Sequence, residues 1–294
     1  MNILSAKSYE FELITPLIMT GAKKDKIEFR TQSIIGILRW WFRFYKACEV
    51  ENLGELKKIE DKIWGSQEKA KEFWLKIEKY PREERDYYAY LRMNDKTRDK
   101  IKRPAFKPEN NTFSLSFKYL GNFDSQGEIE KTLKFLSTFG GLGARWRRGF
   151  SSVIWNEVVL SGSNLDEIID KIKKILELNT SKPDSADDGL DEFMNLKNTS
   201  IYLVKPENKF WDNWKNGINS LREEFYRPLK KYLELREIKL SRTSPLIIQI
   251  KKSGDNNYFG VLLLWKLWKR FSECEDFIEN CSRKRLFEIK RIKT

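Results

Sequence analysis

The residues best suited to chemistry in this sequence lie at positions 139–150, which read FGGLGARWRRGF. Four of the chain's 15 glycines fall within ten positions here. Glycine accepts a positive φ and lets another backbone approach closely, and amide N–H groups in such a turn can surround an anion. The segment therefore predicts a phosphate-binding loop that uses Gly140, Gly141, Gly143 and Gly149.

Three arginines and two aromatic residues follow the glycines: Arg145, Arg147, Arg148, Trp146 and Phe150. Guanidinium groups match phosphate oxygens, and an aromatic ring can stack on an unpaired base for roughly 1 to 3 kcal/mol. The alternative is a structural turn between a helix and a strand, with the arginines in solvent and Trp146 packed inward. Because such a turn normally needs one glycine, the mixture favours single-stranded nucleic acid as the ligand.

The composition favours a polyanionic partner. Lysine and arginine number 56 against 43 acidic residues, which gives a net charge of +13. Such a charge attracts nucleic acid, although a lysine-rich solvated surface is the alternative explanation. No run of about 18 apolar residues predicts a membrane span, so we expect no membrane partner. The many Lys, Glu and Ile residues are typical of a thermophile.

The residue types that are missing exclude several functions. The chain contains no histidine, which removes Ser/His/Asp, Cys/His and imidazole acid–base mechanisms. Three cysteines are too few and too badly spaced for a zinc site or a disulfide framework. We therefore expect no catalytic residue, no metal and no cofactor. The N-terminus lacks the features of a signal peptide, which predicts a cytoplasmic protein.

The first helix carries a second group of candidates. Residues 33–47 place Ile34, Leu38, Trp41 and Tyr45 on one apolar stripe, as a core-facing helix does. Arg39 and Arg43 fall one turn apart elsewhere on this helix, so they form either a basic face near the loop or an ordinary solvated face.

The remaining patterns give the order of the elements. In the first half we predict a strand at 8–13, helices at 33–47 and 52–65, a strand at 72–77, an inserted loop at 79–111, a strand at 112–120, a helix at 127–139 and a strand at 151–160. A helix and an acidic linker follow at 164–178 and 179–193. In the second half we predict a strand at 200–205, a helical stretch at 211–236 with an interruption near Pro228, a hairpin at 244–265, a helix at 268–281 and a strand at 285–293.

Both halves therefore predict the order β-α-β-β-α-β, which is typical of ferredoxin-like domains. The predicted fold class is α+β with two such domains and insertions. The expected boundaries are an N-terminal domain at 1–162, a helix and linker at 163–198, and a C-terminal domain at 199–294.

Five segments together resemble a known family: TPLIMTGA, IEFRTQSIIGILRWWFRFY, IWGSQEKA, FGGLGARWRRGFSSV and RTSPLIIQI. In this order they look like the motifs of the RAMP superfamily, and within it of the first subunits of Cmr complexes, the RNA-guided effectors of type III-B CRISPR systems. The glycine-rich loop after the second helix is the superfamily's hallmark. The resemblance spans most of the chain, densely in residues 1–155 and sparsely afterwards.

The resemblance implies two ferredoxin-like domains and a non-catalytic subunit that binds single-stranded RNA beside other Cmr subunits, near the 3′ part of the guide, and helps to capture the target. A RAMP-type endoribonuclease that uses Lys or Tyr, or a scaffold without RNA affinity, remains the alternative. Trp146 and Ser151 stand where the family often has a small residue and glycine. The positions that match the family's RNA-binding motifs are Arg30, Arg39, Trp41, Arg43, Gly140, Gly141, Gly143, Arg145, Arg147, Arg148 and Gly149, and Trp146 is a further RNA-binding candidate.

Overall fold

The computed structural model describes residues 5–23, 25–93, 100–120, 124–178, 189–232, 246–254, 257–267, 271–284 and 286–292. It contains both helices and antiparallel sheets, which confirms the predicted α+β class. The chain divides into two compact units. Unit 1 comprises Met1–Phe42, Lys57–Trp146 and Phe150–Val158, and unit 2 comprises Arg43–Leu56, Arg147–Gly149 and Val159–Thr294. The predicted domain boundaries stay a prediction.

The N-terminal half follows the predicted order of elements. In chain order these are β1 (Ser5–Leu13), α1 (Thr31–Lys46), α2 (Leu53–Trp64), β2 (Phe73–Lys79), β3 (Tyr88–Met93), β4 (Lys100–Pro104), β5 (Thr112–Tyr119), α3 (Asp124–Phe139) and β6 (Val153–Trp155). Strands β2, β5, β1 and β6 lie side by side in this order, and every neighbouring pair is antiparallel. Among the described residues of unit 1, this sheet supports the core.

The core of unit 1 forms where the predicted apolar patterns place it. Ile34, Leu38 and Trp41 of the α1 stripe are fully buried, as the helical spacing predicts. On β5, Phe113 and Phe117 alternate with polar residues and are fully buried, so one face of the strand points into the core. The alternation along β1 works in the same way. Local periodicity was therefore sufficient to predict these elements.

Two predictions for unit 1 need correction. The predicted inserted loop at 79–111 contains an antiparallel ribbon, β3 paired with β4, with Tyr88 opposite Pro104. Its strands pair mainly with each other, so no sustained apolar alternation marks them. The last strand covers only Val153–Trp155 instead of 151–160, because the amide of Val158 bonds back to the carbonyl of Trp155 and turns the chain.

Unit 2 holds a second antiparallel sheet. Its elements are α4 (Leu165–Leu176), β7 (Thr199–Lys205), α5 (Trp214–Ser220), α6 (Arg227–Tyr232), β8 (Leu246–Ser253), β9 (Asn257–Trp265), α7 (Phe271–Arg283) and β10 (Glu288–Ile292), with a short 3₁₀ turn at Leu190–Glu192. The strands are ordered β10, β7, β9 and β8, and the predicted β8–β9 hairpin is confirmed. In both sheets the order is fourth, first, third and second by chain position.

The predicted irregularity near Pro228 takes the form of a π-helical turn. It occupies Leu221–Tyr226, directly between α5 and α6, and the amide of Arg227 bonds to the carbonyl of Arg222. Pro228 follows this turn within a helical stretch that runs from α5 through α6 without a break, and it cannot donate a backbone hydrogen bond to the preceding turn. The predicted linker at 179–193 lies mostly outside the described residues. None of the described helices has the length and apolar character needed to cross a bilayer.

A buried lysine in unit 2 gives a prediction about stability and pH. Lys251 on β8 is 0 % exposed, and burial lowers the pKa of its ammonium well below the ordinary value. The unfolded lysine, with a pKa of about 10.4, holds its proton more strongly than the native one. The unfolded state therefore binds more protons between the lowered and the ordinary pKa, and stability rises with pH in this window.

We therefore expect Lys251→Met to flatten this dependence. In urea unfolding at pH 7, 8 and 9, the wild type should gain more stability on going to the higher pH than the variant does. The difference between the two curves isolates Lys251 from the other titrating groups. Equal slopes in both proteins would show that the native lysine keeps an ordinary pKa.

Candidate nucleic-acid interface

The glycines after α3 allow the chain to pass other groups of unit 1 at very short distance. A Cβ at Gly140 would lie 2.5 Å from Trp41 Nε1, and one at Gly141 would lie 2.3 Å from the carbonyl oxygen of Ser151. Gly143 has a φ of +75°, and a Cβ there would lie 2.4 Å from the carbonyl oxygen of Ile18. These three glycines are required by close packing.

The backbone of the loop is tied to the protein by its own amides. The amides of Gly140, Leu142 and Ala144 donate to the carbonyls of Leu136, Ser151 and Ile18, at 2.8, 2.8 and 2.6 Å. The N–H groups of Gly140, Leu142 and Ala144 therefore already have acceptors within the protein. These bonds anchor the loop backbone, and phosphate binding by the glycine-rich segment stays a prediction.

The aromatic residue within the loop faces the protein. Trp146 is 9 % exposed, and its ring lies 5.2 Å from that of Trp40 and 5.7 Å from that of Trp41. Trp41 is fully buried, and Phe150 is 6 % exposed. The prediction that Trp41, Trp146 and Phe150 could meet RNA directly is therefore corrected. Their apolar rings gain more from burial in the core than from solvent, and they anchor the loop from within.

Ser151 has a structural role that the sequence patterns did not predict. It is fully buried with a φ of +59°, a conformation that favours glycine. Its hydroxyl accepts from the amide of Ile18 at 3.0 Å and donates to the carbonyl of Ala144 at 3.1 Å. These bonds hold a non-glycine residue in the left-handed region. The family that the sequence resembles often has glycine at this position, and this difference could have indicated a positive φ.

The loop arginines differ in exposure. Arg145 is exposed and has a φ of +59°, and Arg148 is exposed as well, whereas Arg147 is half-buried. Burial lowers the pKa of the Arg147 guanidinium. Arg145 and Arg148 are therefore the loop residues best placed to meet a ligand in solvent.

Residues Arg147–Gly149 belong to unit 2, where they lie along β8. The amide of Ile248 donates to the carbonyl of Arg147 at 3.1 Å, and the amide of Gly149 donates to the carbonyl of Ile248 at 2.7 Å. Gly149 has a φ of +83°. Arg148 Nη1 donates to the hydroxyl of Tyr226 at 2.9 Å, and its guanidinium carbon lies 5.3 Å from that ring's centre. Nothing in the sequence pattern indicated Tyr226 as a neighbour.

The first-helix arginines have separate surroundings. Arg30 is half-buried, with Nη2 3.4 Å from the hydroxyl of Ser33 and Nε 4.0 Å from a carboxylate oxygen of Glu28. Arg43 is exposed and falls in the part of α1 that belongs to unit 2. Arg39 pairs with Glu60, with Nε and Nη2 at 2.8 and 2.6 Å from the same carboxylate oxygen. The basic face of Arg39 and Arg43 stays a prediction.

The Arg39–Glu60 pair gives a prediction about stability. The Glu60 side chain is only 5 % exposed, so removing Arg39 would leave a buried carboxylate without its cation. We expect Arg39→Met to lower the free energy of unfolding by about 2 kcal/mol, since Arg39 itself is partly solvated. The double variant Arg39→Met/Glu60→Met should recover most of the loss in urea unfolding. A double variant less stable than the single one would contradict this explanation.

Within the described ranges, no group of three or more acidic or cysteine side chains is placed to hold a metal ion.

Comparison with known proteins agrees with these features. The family model for the RAMP superfamily matches residues 10–154. Two curated relatives are from Pyrococcus furiosus. The CRISPR system Cmr subunit Cmr1-2 is 27 % identical over an alignment of 172 positions, and the match covers 49 % of this chain and 92 % of the relative. Cmr subunit Cmr1-1 is 23 % identical over an alignment of 301 positions, and the match covers 87 % of this chain and 86 % of the relative.

Solved structures with the same fold cover nearly the whole chain. The crystal structure of Cmr1 from Pyrococcus furiosus in its apo form matches with a TM-score of 0.63 at 19 % identity, over 98 % of this chain and 99 % of that one. A chain in a cryo-EM structure of the type III-B Cmr-beta, bound to cognate target RNA and AMPPnP in the presence of ssDNA, matches with a TM-score of 0.57 at 12 % identity, over 95 % of this chain and 99 % of that one. The family match therefore identifies residues 10–154, which include the glycine-rich loop, as a region of the RAMP superfamily.

Proposed function

We propose that this chain is a single-stranded-RNA-binding subunit of a type III-B Cmr effector complex. The observation that carries the proposal is the arginine segment 145–148, in which Arg145 and Arg148 are exposed on a tightly anchored backbone. The similarity to Cmr1 proteins and the net charge of +13 support it. A polyanion that lacks base pairing fits this segment better than a small neutral ligand does.

The proposed mechanism gives the glycines and the arginines different roles. The glycines let the loop lie against Trp41, Ile18 and Ser151, which fixes the backbone before RNA arrives. The guanidinium groups then supply charge-assisted hydrogen bonds to phosphate oxygens. Arg148 and Tyr226 together offer a cation and an aromatic ring in unit 2, a pair that suits a phosphate next to an unstacked base. An anchored loop loses little entropy on binding.

We further propose the ligand and the surroundings. The ligand is RNA in the 3′ part of the guide, the target that pairs with it, or both. Structure neighbours of the chain include Cmr-beta complexes bound to cognate target RNA, which supports RNA and further Cmr subunits as partners. The complex would act in the cytoplasm, in defence against foreign RNA. We also infer that both units are ferredoxin-like, since each sheet has the strand order fourth, first, third, second.

The proposal assigns no chemistry to this subunit, and a cleavage assay tests that assignment. End-labelled single-stranded RNA would be incubated with the purified chain, with and without Mg²⁺, and analysed on native and denaturing gels. We expect a shifted complex whose RNA stays intact. Reproducible site-specific cuts would instead assign a RAMP-type endoribonuclease, whether or not they persist in an Arg145→Ala/Arg148→Ala variant, because a catalytic Lys or Tyr would be unchanged in that variant.

A further inference from the structure

A cavity in unit 1 has the chemistry of an anion site and takes no part in the function proposed above. Its volume is about 590 Å³. It lies where α2 ends and the chain turns toward β2. The residues that line it are Arg39, Trp64, Gly65, Ser66, Gln67, Lys69, Ala70 and Lys71.

The charge of the cavity wall favours an anion with two negative charges. Three of the lining residues, Arg39, Lys69 and Lys71, are cationic, and none is acidic. Glu60 neutralises one of these charges, because it pairs with Arg39. The neighbouring Glu72 does not line the cavity, and its carboxylate accepts from the hydroxyl of Ser125. About two positive charges therefore remain, which complements a phosphate monoester at neutral pH.

The donors that a ligand could reach in the cavity belong to its basic side chains. Trp64 also lines the cavity, but it is only 3 % exposed and its indole Nε1 is shielded from solvent. On Arg39, the pairing with Glu60 uses the Nε–H and one Nη2–H of the five guanidinium N–H groups. The other N–H groups of Arg39 can donate to the same ligand.

The rim of the cavity is held in place by the turn at 65–69. Gly65 has a φ of +77°, and a Cβ there would lie 2.9 Å from the amide nitrogen of Lys71. The Ser66 hydroxyl accepts from the amides of Glu68 and Lys69, both at 3.2 Å, and the Ser66 amide donates to the carbonyl of Lys69 at 2.8 Å. The lysines therefore project from a constrained backbone, which lowers the entropy lost on binding.

We propose that this cavity binds the phosphate monoester of a nucleotide. The volume exceeds what a bare phosphate fills and falls in the range of cavities that hold small organic ligands. The phosphate would lie among Arg39, Lys69 and Lys71, and the nucleoside would occupy the remaining space. The monoester belongs either to a free mononucleotide or to the phosphorylated end of an RNA. The site does not depend on RNA binding at the 145–148 segment.

Isothermal titration of the full chain with AMP, adenosine and inorganic phosphate tests the proposal. We expect AMP to bind, adenosine to bind at least tenfold more weakly, and inorganic phosphate to bind more weakly than AMP because it leaves most of the cavity empty. Equal affinity for AMP and adenosine, equal affinity for AMP and inorganic phosphate, or no heat with millimolar AMP would overturn the assignment. Trinucleotides with and without a 5′-phosphate show whether RNA ends or free nucleotides are preferred.

Variants locate the site. Lys69→Ala/Lys71→Ala should weaken AMP binding at least tenfold. The matched control Lys57→Ala/Lys58→Ala removes the same charge from exposed positions of α2 outside the cavity and should leave AMP binding unchanged. The Arg145→Ala/Arg148→Ala variant should also bind AMP normally, which separates this site from the RNA-binding loop. Undiminished AMP binding by the Lys69/Lys71 variant would overturn the proposal.

Discussion

The triple variant Arg145→Ala/Arg147→Ala/Arg148→Ala should bind single-stranded RNA roughly 150-fold more weakly than the wild type. Each guanidinium that contacts a phosphate contributes about 1 kcal/mol net, and three such losses amount to roughly 3 kcal/mol. For the variant, the slope of log K against log salt concentration should also be shallower by about two, because fewer counterions are released when it binds RNA. Fluorescence anisotropy of a labelled single strand in low and moderate salt measures both effects.

The control for this variant removes the same charge elsewhere. Arg85, Arg103 and Arg283 are exposed arginines outside the loop, and replacing all three by alanine also lowers the net charge by three. If general attraction to a basic protein explained the binding, both triple variants would lose affinity equally. The loop account instead requires a loss confined to Arg145, Arg147 and Arg148. Circular dichroism must show that both variants are folded, since Arg148 contacts Tyr226 within unit 2.

The second large effect concerns stability. Gly143→Ala should lower the free energy of unfolding by about 3 kcal/mol, because a Cβ would lie 2.4 Å from the carbonyl oxygen of Ile18 and the residue would be forced to keep a positive φ. The substitution also threatens the 2.6 Å hydrogen bond from the Ala144 amide to the same carbonyl. Urea unfolding followed by tryptophan fluorescence measures the loss.

Another glycine serves as the matched control for this substitution. Gly127 lies in α3, where it is exposed and an added Cβ would meet nothing within 4 Å. Gly127→Ala should therefore stabilise the protein by about 0.5 to 1 kcal/mol through its higher helix propensity. If Gly143→Ala did not lower the free energy of unfolding, the loop would have space for a Cβ at this position, and close packing would not explain why glycine stands there.

Elements with a strong local period could be predicted from the sequence. The stripe of Ile34, Leu38 and Trp41 identified α1, and the alternation around Phe113 and Phe117 identified β5. When one face of a helix or strand is buried, apolar residues recur in the sequence with the period of that element. The ribbon of β3 and β4 could not be found in this way. Its strands pair with each other in a two-stranded sheet, and their sequences carry no sustained apolar alternation.

The sequence identified the residues of the candidate site, but it predicted only part of their roles in packing and binding. A cluster of glycines and arginines indicated the loop, yet the contact that requires Gly140 is a tryptophan from another helix, Trp41, more than ninety positions away. The burial of Trp146 and the pairing of Arg39 with Glu60 likewise arise from tertiary contacts. Such contacts leave no local period, so the sequence left open which aromatic residues and arginines face solvent.

The central claim is that this chain binds single-stranded RNA through phosphate contacts, and a salt titration of the wild type tests it most directly. Anisotropy would be recorded with a labelled single-stranded RNA and with its duplex, between 50 and about 500 mM NaCl. If about five phosphates are contacted, log K for the single strand should fall by roughly 3.5 for a tenfold rise in salt, and the duplex should bind more weakly. A flat salt response, or equal binding of the single strand and the duplex, would contradict the account.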